Sequence, residues 1–535
     1  MRLNKPSVKG SSFVRQAAIL GLASLFVRFI GFLYRIPLTH FLGDDGIGFY
    51  SRAYSIYAFA VVVSSGALPA SISRLVSERL AKKQYRNAHE LFKTAMVFAL
   101  FLGLVSGLVM VFGADFFAYY FDMPEAALAI KTLAPTVFFV AMLAVFRGYF
   151  QGMKTAVPTA LSQVVEQIIN VIFTVWLAYI FLDAANLQYA VAGGAAGTGI
   201  GAVAAVAVIV ALYALVAKDL KNRAIGDGEI KTFETKRYQL FAILKTALPI
   251  IVGMGIYSVA TLIDFRMASS RLVYSGAFSL DEINHLIGQF SGKFLLLTTL
   301  PVSLSIALSM AVIPDITTSQ VEMDTSAIRR KIDMALRISM ILTIPAAVGL
   351  TVLADEIVAL LFPSHPDGGW LLRYGAVSII FIALVQILTG VLQGIGRVGI
   401  PVIGAFFGVV AKIVVNYFLI AIPEINILGV VISTIICYIV ASVLNIYYLR
   451  KFTGIMPDFI GAFIKPLIAS LGMGLVAFAM NHIFLMIVGS TLATIGSLVI
   501  SIISYLIFMG LIKGFRQSDI DAMPLPGKLR RFLRF

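Results

Sequence analysis

The chain has 535 residues, 59% of them apolar and only 13% charged. A soluble protein of that length carries about twice that share of charged residues, so an ordinary globular class is excluded. The net charge of +15 would suggest nucleic acid only if it formed a patch, and its distribution along the chain removes that reading.

Fourteen apolar segments follow one another, each close to the ~20 residues that carry a helix across a bilayer core. They cover 15–40, 49–72, 91–113, 129–150, 158–183, 189–216, 241–263, 286–313, 332–354, 371–394, 400–421, 427–449, 460–483 and 487–512. Open sheets leave unpaired edges in lipid. The expected class is therefore an all-α polytopic membrane protein with about fourteen transmembrane helices. The first segment is too long for a signal-peptide core and no small-residue cleavage site follows it, so it is expected to stay as a helix.

Charge orients the segments. Arg2, Lys5, Lys9 and Arg15 precede or open the first, six basic residues lie between Arg74 and Lys93, seven between Lys218 and Lys245, and six between Lys513 and Arg534. The alternate loops hold Asp44, Asp45, Asp115, Asp122, Glu125 and Asp183, with no Lys or Arg among them. This is the positive-inside bias. It predicts a multi-pass cell-membrane protein with both termini cytoplasmic, an external stretch near 264–285, and no nucleic-acid partner.

The sequence also repeats. Gly148-Tyr-Phe-Gln151-Gly152 with Val157-Pro158 returns as Gly390-Val-Leu-Gln393-Gly394 with Ile400-Pro401. Gly107-Leu108, Ala114-Asp115 and Phe121 return as Gly349-Leu350, Ala354-Asp355 and Phe362. The offset is about 240 residues in both cases. Two pseudo-symmetric six-helix lobes follow, 1–216 and 241–451, joined by a basic cytoplasmic linker at 217–240. Two further helices occupy 452–512 and a basic cytoplasmic tail occupies 513–535. An even helix number per lobe makes the repeat parallel, with a substrate site expected between the lobes.

Of the 42 basic residues, 33 fall in the inward-facing segments taken over the whole chain, and nine remain: Arg28, Arg35, Arg52, Lys131, Arg266, Arg271, Lys293, Arg373 and Lys412. A charge at bilayer depth costs at least ~2.5 kcal/mol on insertion scales, so such residues face a cavity or a partner, or snorkel to an interface. Lys131 and Arg373, near predicted helix ends, fit snorkelling. Arg28, Gly31 and Arg35 share one face of the first helix, Arg52 opens the second, and Lys293 and Lys412 lie inside the eighth and eleventh. Arg266 and Arg271 fit either a cavity or the external stretch, with Asp264 as a partner. Glu166 is the clearest intramembrane acid, either a proton or cation ligand or the partner of a cavity arginine. Arg28, Arg35, Arg52, Arg266, Lys293, Lys412 and Glu166 are the candidate substrate-binding residues. Their balance is positive, which suits phosphate, because arginine grips it bidentately.

Other motifs carry no chemistry. Gly193, Gly197 and Gly201 lack the strand that a dinucleotide fingerprint needs, and their spacing suits close helix packing. The five histidines are scattered without metal-ligand spacing, there is no Walker loop, and the single Cys437 excludes a disulfide framework. No enzyme and no cofactor are expected. Pro249, with Gly253 and Gly255 after it, marks a kink or a hinge in the seventh helix.

Arg147-Gly148-Tyr-Phe-Gln151-Gly152, Pro158-Thr-Ala-Leu-Ser162-Gln163-Val-Val-Glu166-Gln167, Leu300-Pro301-Val-Ser303-Leu and Leu392-Gln393-Gly394-Ile395 carry a family resemblance. From about residue 12 to 512 the chain resembles the multidrug/oligosaccharidyl-lipid/polysaccharide exporter superfamily, and within it the SpoVB/YtgP-type polysaccharide biosynthesis proteins, MurJ-like lipid II flippases of Gram-positive bacteria. The resemblance implies two lobes around a cationic cavity, a lipid groove at helices thirteen and fourteen, and outward carriage of an undecaprenyl-diphosphate sugar by alternating access. Gram-negative relatives carry S-R-x-x-G-x-x-R in the first helix. Here Val27 replaces Ser and Arg35 falls one residue late, so Arg28 is the arginine that carries over. Sodium ligation in some relatives uses acids and Asn on helices seven and eleven, whereas the eleventh here offers Lys412 and Asn416 without an acid. The coupling ion stays open.

The expected function is a flippase for a lipid-linked oligosaccharide diphosphate, lipid II above all, working in membrane lipid as a monomer. The alternatives are a flippase for another lipid-linked polysaccharide and a cation-coupled multidrug exporter, which would want an acidic cavity. A membrane glycosyltransferase would need catalytic acids on a large external loop, and 264–285 offers only Asp264, Asp281 and Glu282.

Overall fold

A chain immersed in lipid has to satisfy its backbone internally, and the computed structural model shows helix as the outcome. It describes residues 10–184, 186–225 and 234–515, and among these there is no strand. Contacts divide the chain into two units, Met1–Arg266 and Met267–Phe535. The first holds α1 (Gly10–Leu33), α2 (Arg35–Val61), α3 (Leu68–Ala81), α4 (Tyr85–Tyr120), α5 (Ala127–Gly152), α6 (Val157–Ala184), α7 (Leu187–Ile225) and most of α8 (Lys236–Ser275). The second holds α9 (Leu280–Gly288), α10 (Leu295–Val321), α11 (Thr325–Val352), α12 (Ala354–Leu361), α13 (Gly369–Gly375) and α14 (Ser378–Gly394). It continues with α15 (Ile400–Leu419), α16 (Leu428–Thr453), α17 (Lys465–Leu485) and α18 (Ser490–Leu511). Wider π turns at Val62–Gly66, Gln289–Phe294 and Ile460–Ile464 join α2 to α3, α9 to α10 and lead into α17.

Among the described residues twelve helical stretches are long and apolar enough to span a membrane, and α13 with α14, bent by 55°, makes a thirteenth. The first expected segment is represented by a shorter apolar helix, Ile19–Leu33, so the expected fourteen holds approximately. The connections differ more. Residues 264–285 are mostly helix, because α8 runs unbroken through Pro249 to Ser275 and α9 starts at Leu280. There a capping box, Ser279 Oγ accepting from Glu282 N and Glu282 Oε2 from Ser279 N, starts the new helix. Helix also enters both ends of the expected linker, to Ile225 and from Lys236. The expected tail, 513–535, is described only as far as 515. Asp324, between α10 and α11, accepts hydrogen bonds from Ser326 Oγ and from Ala327 N, which hold its carboxyl below the usual range.

The expected break between the first two segments is a kink inside α2. Gly43 sits at φ 66°, ψ 179°, a conformation open essentially to glycine alone. Asp44 and Asp45 then fall in the first turn of the resumed helix, where the N-terminal end of the dipole favours carboxylates. Gly43→Ala is expected to destabilise the protein by about 1–3 kcal/mol, read as a lower thermal-unfolding midpoint in detergent; an unchanged midpoint would show the kink to be unstrained.

The internal repeat reappears as matching contacts inside each unit. A methyl at Gly148 would lie 2.9 Å from Pro69 O and one at Gly152 2.7 Å from Val76, so α5 closes directly on α3. In the second unit the matching glycines of α14, Gly390 and Gly394, lie against α10, where a methyl would be 2.8 Å from Ser309 O and 3.0 Å from Ile316 respectively. Ser77 Oγ donates to Gly152 O at 2.8 Å, and Thr317 Oγ1 to Gly394 O at 3.0 Å. Lys131 pairs with Asp115, and Arg373 with Asp355, so the two cations expected to snorkel are partners of acids at matching positions. Helices α17 and α18 have no counterpart in the first unit. They pack on α11, where Tyr505 Oη donates to Ile341 O at 2.8 Å.

Candidate functional site

In the first unit the charged residues gather at two places. One is the end of α4. Arg52 is completely enclosed; its Nε donates to Gly48 O at 3.2 Å and its Nη1 to Phe121 O at 3.3 Å, just past the last turn of α4. A buried cation there complements the carbonyl end of the helix. Arg266 reaches the same joint from α8, with Nη1 2.5 Å from Asp122 Oδ2 and its guanidinium over the Tyr120 ring at 4.8 Å. Asp122 and Glu125 act electrostatically on Arg52 as well. Two residues distant in sequence are thus brought to one acid.

The second place lies where α1, α2, α5 and α6 meet. Arg35 is half-buried, with Tyr50 below it at 5.9 Å and Tyr34 and Tyr54 close by. Tyr54 and Tyr57 lie within electrostatic reach of Glu166. Glu166 Oε2 is 2.5 Å from Nη2 of Arg147, whose Nε donates to Ser162 Oγ at 3.0 Å. Arg28 lies on the described part of α1, exposed, and no hydrogen bond or ion pair holds it among the described residues. One turn on, a methyl at Gly31 would sit 3.4 Å from Gln167 of α6, so that side of α1 looks towards α6, while Arg35, expected on the same helix, opens α2 instead. An apolar hollow of about 550 Å³ opens beside it, lined by Tyr34, Pro37, Phe41, Ile172, Trp176 and Tyr179.

The candidates of the second unit lie apart from one another. Lys293, on the π turn before α10, is fully enclosed; Nζ donates to Asp367 O at 2.8 Å and sits over the Phe362 ring at 6.0 Å. Since Phe362 is the repeat of Phe121, Lys293 holds in this unit the kind of joint that Arg52 holds in the first. Lys412, 7% exposed, donates to Thr434 Oγ1 of α16 at 3.0 Å, one turn from buried Asn416. Arg271 lies on α8 rather than in a loop, bonded to Tyr417 O and flanked by the Tyr274 and Tyr417 rings. Among the described residues no three His, Cys, Asp or Glu side chains come together as a metal group would require.

The residue that sequence reasoning missed is Arg147. It lies five residues before the end of α5, at an inward-facing helix end where a cation draws no notice. The signal that finds it is Glu166, an acid that needs a cation inside the membrane.

Comparison with known proteins agrees with this architecture. The family model described as "Lipid II flippase MurJ" matches residues 56–496. The lipid II flippase MurJ of Bacillus subtilis (strain 168) is 26% identical over 464 residues, covering 83% of this chain and 84% of the relative. A solved lipid II flippase MurJ in an inward closed conformation superposes with a TM-score of 0.69 at 17% identity, covering 92% of this chain and 98% of the other. A multidrug resistance MATE transporter of the MOP superfamily, inward-facing, gives 0.63 at 18% identity, covering 80% and 98%.

Proposed function

The chain belongs to the lipid II flippase MurJ family, and on that premise we propose that it carries an undecaprenyl-diphosphate-linked cell-wall precursor, lipid II of peptidoglycan, across the cytoplasmic membrane by alternating access. Family and fold make it a multi-pass membrane transporter of the MOP superfamily, a flippase of lipid-linked precursors and not an enzyme. The observation that carries the finer reading is the charge around the junction of α1 and α2. Arg28 and Arg35 stand there with Arg35 set among three tyrosines, and a planar guanidinium matches two phosphate oxygens at once. A carrier of cationic drugs would place acids there, and Glu166 of the adjoining α6 is already paired with Arg147. In this proposal both termini lie in the cytoplasm, as the positive-inside bias predicts.

The test is replacement. Cells depleted of their resident lipid II flippase and supplied with this protein are expected to survive and to keep a normal ratio of external to internal lipid II. Death of cells in which the protein is abundant in the membrane would reject lipid II as cargo and leave the transporter class standing.

A further inference from the structure

The repeat separates residues that hold the fold from residues that do something else. Contacts needed by both units occur twice: the α5/α3 and α14/α10 approaches, the two surface ion pairs, and the enclosed cations Arg52 and Lys293. The Arg147–Glu166 pair occurs once. In register with Gly148 and Gly390, Thr389 stands where Arg147 stands; in register with Pro158 and Pro401, Ala405 and Val409 stand where Ser162 and Glu166 stand. A structural role that both units share would leave some trace of the pair in the second.

The pair also differs from the structural cations in form. Arg52 is sealed, whereas the side chains of Arg147 and Glu166 keep 13% and 26% of their exposure. Only Nη2 reaches the carboxylate and only Nε reaches Ser162; Nη1 makes no hydrogen bond among the described residues. One carboxylate oxygen on one nitrogen is poor use of a five-donor fork that can clasp an oxyanion bidentately. A half-buried guanidinium among apolar helices is costly to leave without a partner, and the Glu166 carboxylate supplies one while no ligand is there. Tyr54 and Tyr57, close to Glu166, offer hydroxyls to a carboxylate that moves aside.

The geometry points to Arg147 as an anion subsite for the phosphate of the transported lipid, kept occupied by the Glu166 carboxylate until the phosphate displaces it. This rests on the flippase reading above and adds to it the identity of the placeholder. Arg147 lies near the cytoplasmic ends of α5 and α6 in the charge-based orientation, so it is the guanidinium that a phosphate arriving from the inner leaflet meets early.

Binding to purified, full-length protein in nanodiscs tests it, with undecaprenyl diphosphate as the probe and undecaprenol as the uncharged control. Glu166→Gln removes the competing charge and is expected to bind the diphosphate about tenfold more tightly. Arg147→Gln added to it is expected to cancel the gain. Glu166→Asp, which draws the carboxylate back, gives a smaller gain of the same sign and serves if the glutamine variant does not fold. Inorganic pyrophosphate, run alongside, separates the sources: tightening for both probes assigns the phosphate itself, tightening for the lipid alone assigns the lipid-borne group. A structural role predicts the opposite sign, weaker or unchanged binding with a lower thermal midpoint, and that result overturns the inference. If the wild type prefers undecaprenyl diphosphate to undecaprenol while Glu166→Gln gains nothing, only this inference falls; if the wild type shows no preference, the lipid-diphosphate reading falls with it.

Discussion

Arg28→Ala is expected to reach the membrane in normal amounts and to fail to support cells depleted of their lipid II flippase. Arg28 is exposed on α1 with no partner among the described residues, so its removal breaks no described internal contact. A charge-assisted contact to a diphosphate is worth about 1.5–3 kcal/mol, roughly ten- to a hundredfold in affinity. Arg28→Lys is expected to retain little activity, because an ammonium does not reproduce the planar fork. Glu166→Gln is expected to be milder, since it removes no charge that a phosphate needs. A cation exporter reverses the order, with Glu166 indispensable and Arg28 replaceable. Membrane abundance of each variant, measured beside survival, separates loss of transport from loss of protein. Normal growth on well-expressed Arg28→Ala would sink the anionic-substrate reading.

Gly197→Leu is expected to abolish the folded protein. Gly197 of α7 lies directly on the backbone of Thr174 in α6, so that any β-carbon would fall inside Thr174's amide nitrogen and hydroxyl. The same contact line continues at Gly201, where a methyl would be 2.6 Å from Glu166 O, and at Gly193, 2.9 Å from Leu177 O. Thr174 Oγ1 donates across the line to Gly194 O at 3.0 Å. Overpacking of a tight core costs about 1–3 kcal/mol even where neighbours can yield, and here the neighbour is main chain. Size-exclusion profiles in detergent check it, with Gly255→Ala as the control, since nothing lies within 4 Å of that position. A monodisperse Gly197→Leu protein would show that α6 and α7 can separate without loss of the fold.

These glycines show why the fold was legible. Helices that touch through their backbones in lipid need small residues at fixed spacing, and that requirement is written in the sequence as Gly193, Gly197 and Gly201 and as the repeated Gly148/Gly152 and Gly390/Gly394. Segment ends were less legible, because α8 and α9 continue past the last apolar residue wherever polar residues can still form helix, as with Arg266 and Arg271. The site was legible only in part. Arg52, Lys293 and Arg28 look alike to a hydropathy argument, each a cation in an apolar run. What separates them is where the partner stands, and for Arg52 and Lys293 it is a carbonyl 69 and 74 residues away in sequence. Arg147 was hidden by its position near a helix end, where a cation is ordinary.

The Arg266–Asp122 pair closes over 144 residues, and that span is also an interval of time. At about 5–20 residues per second, roughly 7–30 s pass between the emergence of Asp122 from the ribosome and that of Arg266. For most of that interval α4 has an acid at its end and α8, which starts at Lys236, has not yet been made. Arg52, made earlier and lying close enough to act on Asp122, is already available as its counter-charge. The joint holds two acids, Asp122 and Glu125, and one cation until Arg266 arrives to balance it.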